Sequence, residues 1–201
     1  MREAEVLSRI RAIFEASSND SAVIVGNGDD GAVLALENQT VLSTDMAVEG
    51  IHFRREWSSA ADIGRKITAA NLADICAMGG WPTYLVISVA FPSDFLASLE
   101  ELASGIALEA RKVGAKVVGG DLSRGENLVI SITALGRTER AIRRSSAKVG
   151  ESVVISHLPG LSAAGLSLLM NGNNHESPEA IKAIAQHRAP EIDYSRYRDS
   201  F

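Results

Sequence analysis

From Thr83 to Gly119 the sequence leaves little choice of local structure. Thr83–Ala90 is rich in Leu, Ile and Val and reads as a buried strand. Pro92-Ser93 then precedes a long helix with Leu96, Leu99, Leu102, Ile106 and Val113 on one side, closed by Gly114. Ala115–Gly119 reads as the next strand, followed by Leu128–Leu135 and Ser152–Ser156. Upstream, Val6, Leu7, Ile10, Ile13 and Phe14 recur at helical spacing, which predicts an amphipathic helix over 3–16. Ala32–Leu36 and Thr40–Thr44, separated by Glu37-Asn38-Gln39, predict a hairpin. Ser58 or Ser59 can cap a helix reaching about Met78, which Gly79-Gly80 ends. Strands and helices therefore mix throughout, which is the α/β class in its mixed α+β form.

The 201 residues fit one large domain, or one domain with part of a second. A new element begins near Lys148-Val149-Gly150-Glu151, and Gly160–Met170 and Pro178–Ala189 both read as helices. Two helices and a strand are too little for a separate core. The expected division is therefore a domain over 1–147 and the incomplete start of another over 148–201.

A net charge of −5 argues against a nucleic-acid surface. The apolar stretch Tyr84–Phe91 is too short to cross a bilayer. Met1-Arg2-Glu3 opens no apolar signal core, and the single cysteine, Cys76, allows no intrachain disulfide. The expectation is a cytoplasmic protein with Cys76 buried and Trp57 and Trp81 as packing anchors.

Four acidic motifs stand out. Gly26-Asn27-Gly28-Asp29-Asp30-Gly31 is either a glycine-rich turn or a pair of carboxylates presented to magnesium, which prefers hard oxygen ligands. Ser43-Thr44-Asp45 lies at the end of a β-type run, where functional groups are often presented. Ile67, Asn71, Asp74 and Met78 share one helix face, so Asp74 needs a polar partner or a cation. Gly119-Gly120-Asp121 follows a strand, where glycines let backbone approach a phosphate and the aspartate can hold a metal beside it. His52 is either structural or a substrate contact, and Arg143-Arg144 either a solvated pair or a phosphate ligand. No G-x-x-x-x-G-K-[ST] loop, protein-kinase glycine loop or zinc-type Cys/His cluster occurs, so nucleotide binding would rest on carboxylate-held magnesium.

These motifs, with Glu49-Gly50-Ile51-His52-Phe53, the run Asn71–Gly80, Arg144–Glu151 and Leu161–Leu166, resemble in order those of the thiamine-monophosphate kinases. The resemblance implies the aminoimidazole-ribonucleotide-synthetase-like (PurM-like) fold of two α/β domains, and a homodimer built through the N-terminal sheets. It implies phosphorylation of thiamine monophosphate by ATP, and because that acceptor is already anionic and needs no strong base, direct in-line transfer without a phosphoenzyme is expected. It further implies several Mg²⁺ ions held by Asp30, Ser43, Thr44, Asp45, Asp74 and Asp121, a substrate contact at His52, and nucleotide contacts at Gly120, Asp121 and Arg144. Gly31 stands where alanine is more usual, and Leu122 where threonine is expected. Family members continue beyond the position of Phe201 into an Asp-Leu-Ser-Asp-Gly motif, so a truncated chain is expected. The rival expectations are another ATP-dependent enzyme of the superfamily (purine synthesis, selenophosphate synthesis or hydrogenase maturation), or a catalytically incompetent nucleotide-binding or dimerising fragment.

Overall fold

The computed structural model describes residues 3–15, 20–25, 33–36, 39–155, 159–172 and 177–198. Helix α1 (Glu3–Glu15) is followed by two short strands, β1 (Val23–Val25) and β2 (Val33–Leu34), which pair with each other. Four longer strands, β3 (Gln39–Val48), β4 (Trp81–Phe91), β5 (Lys116–Arg124) and β6 (Val129–Thr138), form one sheet in the order β3-β6-β4-β5. The β4–β5 pair is parallel and the others antiparallel. A parallel pair needs a crossover, here a 3₁₀ turn over Ser93–Ser98 and helix α3 (Leu99–Arg111).

Helix α2 (Ala60–Ala77) connects β3 to β4 and starts on a reciprocal cap. The Ser59 hydroxyl accepts the Asp62 N–H at 3.1 Å while the Asp62 carboxylate accepts the Ser59 N–H at 3.3 Å. Helices α2 and α3 pack together on the sheet face formed by Leu85, Ile87, Ile130, Ile132 and Ala134, all buried. Their backbones touch: a Cβ on Gly64 would lie 2.4 Å from the Leu102 carbonyl oxygen, and one on Gly105 only 2.1 Å from that of Ala61.

The opposite sheet face is largely open. Leu42 and Met46 are 66% and 57% exposed on it among the described residues, and Asp20 covers the end carrying Tyr84 and Lys116. Its carboxylate accepts the Tyr84 hydroxyl at 3.1 Å and meets the Lys116 ammonium at 3.3 Å. The Ala22 N–H and these two partners hold the Asp20 carboxyl below the usual range.

Two further helices, α4 (Leu161–Met170) and α5 (Pro178–Arg188), pack on each other, and α5 also meets α2. Beyond them Ile192 and buried Tyr194 join the main core, just before a single turn of helix α6 (Ser195–Arg198). The Tyr194 hydroxyl donates to Glu109 at 2.9 Å. Glu109 is fully buried and also faces Lys112 at 2.9 Å and Arg65 at 3.5 Å, both of which reach Glu191 as well. A buried carboxylate persists only with such partners, and here they stitch the last segment onto α2 and α3.

Most predicted elements form, with four differences. The hairpin between 32–36 and 40–44 does not: β2 takes β1, which the sequence reading omitted, and β3 takes β6 along ten residue pairs. A ladder of that length satisfies far more edge backbone than a short hairpin could. The predicted strand at Ser152 has no partner over residues 152–155, whose Val153 and Val154 stand exposed. The predicted helix after Pro92 begins as a 3₁₀ turn. The α6 turn also went unread, since four residues carry no periodicity.

Cys76 is buried as expected, and burial pushes its thiol up to about 11. The native chain is therefore expected to resist a thiol-reactive chromogen at neutral pH and to release one thiol per chain only after denaturation. Fast reaction without denaturant would contradict the packing of α2.

Candidate functional site

Two of the four acidic motifs, Ser43-Thr44-Asp45 and the Asn71–Asp74 face, meet where β3 runs along α2. Strand alternation points Ser43 and Asp45 to the helix side, Asp45 directly opposite buried Ile132. From α2, Asn71 and Asp74 approach them. Asn71 is fully buried: its amide donates to the Ile67 carbonyl at 2.9 Å and its oxygen accepts the backbone N–H of Asp45 at 3.2 Å. This bond satisfies an amide on the outer edge of β3 and fixes where the Asp45 carboxylate starts. The Asp74 carboxylate accepts the Ser43 hydroxyl at 3.1 Å. Asp74 is exposed, so the expectation of a carboxylate needing rescue within an apolar stripe is corrected: Ile67 and Asn71 are buried, and the stripe opens to solvent one turn later.

Among the described residues neither Asp45 nor Asp74 has a cation within ion-pair distance, although they lie on adjoining elements. Two carboxylates and a hydroxyl without a positive partner suit a small divalent cation that keeps several waters. The donor set therefore fits Mg²⁺. Among the described residues no third carboxylate, histidine or cysteine completes a cluster, and Asp30, with Asp29, lies outside the described residues.

Two predicted ligands lie elsewhere. The Thr44 side chain faces the open side of the sheet, where its hydroxyl donates to Ile132 O and meets Thr133 Oγ1, both at 3.1 Å. Asp121 is on β5, opposite Ser88, which pairs in turn with Ser131 and Met46 on that same open side. Three strand spacings separate it from β3, roughly 14 Å. Its carboxylate accepts the Ser123 hydroxyl at 2.8 Å. Gly120 precedes it on the exposed edge strand, and a Cβ there would lie 2.0 Å from the Ile87 carbonyl oxygen. Arg144 is exposed in a 3₁₀ turn (Arg144–Ser146) after β6. That linker is held near the site because the Ile142 N–H donates to Met78 O, one turn beyond Asp74, at 2.9 Å.

His52 stands at an exposed turn just after β3. The Val48 N–H donates to its Nδ1 at 3.0 Å, so the neutral ring carries its proton on the outward Nε2. Glu49 anchors the turn. One of its oxygens accepts the Leu128 N–H at 3.2 Å and the other the Arg55 guanidinium at 2.5 Å, and Arg55 also reaches Asp94 at 2.8 Å. These two carboxylates raise the Arg55 pKa. From α2 the Lys66 ammonium donates to the His52 carbonyl at 3.2 Å. Arg55 and Lys66 went unnoticed in the sequence, where isolated basic residues carry no signal until the fold shows what they meet.

Residues 28–138 match the AIR synthase related protein family, N-terminal domain. A thiamine-monophosphate kinase of Synechococcus elongatus is 39% identical over 168 residues, covering 81% of this chain and 51% of that protein. One of Mycobacterium tuberculosis is 42% identical over 156 residues, covering 76% and 47%. Among solved structures, thiamine-monophosphate kinase from Stenotrophomonas maltophilia superposes with a TM-score of 0.82 at 27% identity, covering 98% of this chain and 63% of that one. AaThiL complexed with AMPPCP and TMP gives a TM-score of 0.77 at 30% identity, covering 99% and 64%. Hydrogenase maturation protein HypE, at 21% identity and a TM-score of 0.68, shares the fold alone. The chain spans about half the length of the curated relatives it matches. The family match takes in more than half of the 201 residues and the sheet and helices that build the site, so the chain belongs to the AIR synthase related proteins.

Proposed function

We propose that this chain supplies the magnesium- and nucleotide-binding part of an enzyme that transfers a phosphoryl group from ATP to thiamine monophosphate, giving thiamine diphosphate. The observation that carries the reading is that Asp74 accepts the Ser43 hydroxyl and Asn71 holds the Asp45 amide along one seam, neither carboxylate having a counter-cation among the described residues, in a chain whose relatives are named for this reaction. A neighbouring structure that binds AMPPCP and TMP supports the same ligands here.

The acceptor is itself a phosphate, so no strong general base is needed, and the difficulty is bringing two anions into line. Bound Mg²⁺ would supply charge neutralisation and alignment of the phosphates. Ser43, Asp45 and Asp74 would hold it, with Asp30 joining them on the strength of the resemblance. Asn71 keeps Asp45 in place, the Glu49–Arg55 pair steadies the turn that presents His52, and Arg144 is available for phosphate oxygens. Transfer is direct, without a phosphorylated side chain.

We place the protein in the cytoplasm as a homodimer joined through its open sheet face, with 1–147 as the N-terminal domain and 148–201 as the start of a second. By the resemblance Thr44 and Asp121 stay proposed metal ligands, and Gly120 and Asp121 proposed nucleotide contacts, on or beside that face and away from Asp45 of the same chain. Leu42→Lys with Met46→Lys is expected to convert a dimer to a monomer by light scattering, with little change in folded far-UV dichroism. An unchanged mass would contradict the interface.

The reading is tested by phosphorus NMR of the chain with ATP, Mg²⁺ and thiamine monophosphate. New thiamine diphosphate resonances support it. A folded chain that forms no product and binds no Mg·AMPPCP contradicts it.

A further inference from the structure

The end of a helix leaves backbone carbonyls that the helix cannot satisfy by itself. The turn closing α2 meets part of this need locally: the Gly80 N–H returns to the Ile75 carbonyl and the Gly79 N–H to that of Cys76, both at 3.0 Å. The carbonyls of Met78 and Gly79 are taken from outside. At the end of β6 the Thr138 hydroxyl donates to the Gly79 carbonyl at 2.5 Å, and from the linker the Ile142 N–H donates to the Met78 carbonyl at 2.9 Å. The same Thr138 oxygen accepts the Arg140 N–H at 3.2 Å, so one side chain bonds both the helix end and the linker. Thr138 is only 6% exposed, and its bond to Gly79 does not compete with water. The packing beneath it is tight: a Cβ on Gly136 would lie 2.2 Å from Ile75 Cγ2 and 2.8 Å from the Trp81 carbonyl oxygen.

This clamp joins two sets of unlike charge. Asp74 stands one helical turn before Met78, with Asp45 across the seam, and neither has a cation among the described residues. In the linker Arg140, Arg143 and Arg144 are exposed and have no carboxylate partner among the described residues. Carboxylates open to a metal and guanidiniums open to phosphate oxygens are the two halves of a metal–phosphate site. They serve one ligand only if their spacing is fixed.

We propose that Thr138 is a positioning residue for the nucleotide: its buried hydroxyl fixes the arginine-bearing linker to the end of α2, so that linker and metal seam hold one geometry. Thr138 touches no ligand itself. Loss of the hydroxyl strands the Gly79 carbonyl and frees the Arg140 N–H, and the arginines lose their register with Asp74. The inference deepens the kinase reading and rests on it for the identity of the ligand.

The test measures the affinity of the 201-residue chain for Mg·AMPPCP by calorimetry and the exchange of the Ile142 amide by NMR. Thr138→Val keeps the side-chain shape and should bind Mg·AMPPCP about tenfold more weakly, with faster exchange at Ile142. Mn²⁺ affinity without nucleotide should not change, because Ser43, Asp45 and Asp74 are untouched. Thr138→Ser restores the hydroxyl and should recover the nucleotide affinity. Thr68→Val removes a buried bond of the same kind from the same helix, Thr68 hydroxyl to Gly64 carbonyl at 2.8 Å, and should leave nucleotide affinity as it is. Ile142→Pro deletes the second clamp bond at an exposed position and should weaken Mg·AMPPCP binding even if Thr138→Val does not fold. Wild-type nucleotide affinity in Thr138→Val or Ile142→Pro, an equal loss in Thr68→Val, or a parallel loss of nucleotide-free metal binding overturns the proposal. A protected Ile142 amide in Thr138→Val overturns the clamp whatever the nucleotide does. A wild type that binds no Mg·AMPPCP overturns the kinase reading and this use of the clamp together, which separates the two failures.

Discussion

Asp45→Asn is expected to lower thiamine diphosphate formation by roughly three orders of magnitude, the scale of several kcal/mol of lost metal-mediated charge stabilisation. The fold should survive. The bond that ties this position to α2 comes from the Asp45 backbone N–H, which the substitution leaves intact, while the carboxylate itself has no partner among the described residues. Removing one of two neighbouring negative charges should hold or slightly raise the thermal midpoint. A variant that melts like the wild type but makes no product would separate a ligand role from a structural one. One that keeps its activity would remove Asp45 from the site. Asn71→Ala provides the contrast: it deletes a fully buried amide with two bonds and should lower both stability and activity.

Gly105→Val is expected to produce the largest loss of stability of any single change in the sheet-packing layer. A Cβ there would sit 2.1 Å from the Ala61 carbonyl oxygen and 2.8 Å from the Ala61 Cα, both rigid backbone at the crossing of α2 and α3. The helices would have to separate, opening the core at Ile63, Leu102 and Ile106. Overpacking of this kind costs on the order of 3 kcal/mol, which for a chain of this size lowers the midpoint by about 6–12 °C. Gly119→Ala is the control for melting. Its Cβ would meet nothing within 4 Å, so the midpoint should move little. A small effect at Gly105 would mean that the crossing of α2 and α3 is looser than described.

The elements that could be read from sequence are those whose periodicity comes from one continuous buried face. α1 and the body of α3 were readable because Val6 and Ile10, or Leu99, Leu102 and Ile106, repeat at helical spacing, β4 from its run of Leu, Ile and Val, and α2 from its serine cap and the Gly79-Gly80 end. What could not be read depended on remote partners. Thr40–Thr44 looked like half of a hairpin because its true partner, β6, lies some ninety residues away. The local turn could not reveal that competition. The site followed the same rule. Asp45, Asp74 and Ser43 were visible as polar residues out of pattern, but that Asn71 holds an Asp45 amide could not be inferred from helix spacing. Nor could the placement of Thr44 and Asp121 on the open face, which depends on strand order and on the bulge within the β4–β5 pair. Lys66 was overlooked because a lysine on a helix is ordinarily solvated, and nothing in the sequence shows that it meets the His52 carbonyl.

The most direct measurement is a Mn²⁺ titration followed by electron paramagnetic resonance, with and without AMPPCP, on the wild type, Asp45→Asn and Asp74→Asn. Manganese reports divalent binding at oxygen ligands without requiring turnover. If Ser43, Asp45 and Asp74 hold the metal that carries the nucleotide, AMPPCP will increase bound Mn²⁺ in the wild type, and either substitution will abolish that increase while the fold persists. Equal nucleotide-dependent binding in all three proteins would contradict the assignment of the β3–α2 seam as the metal site.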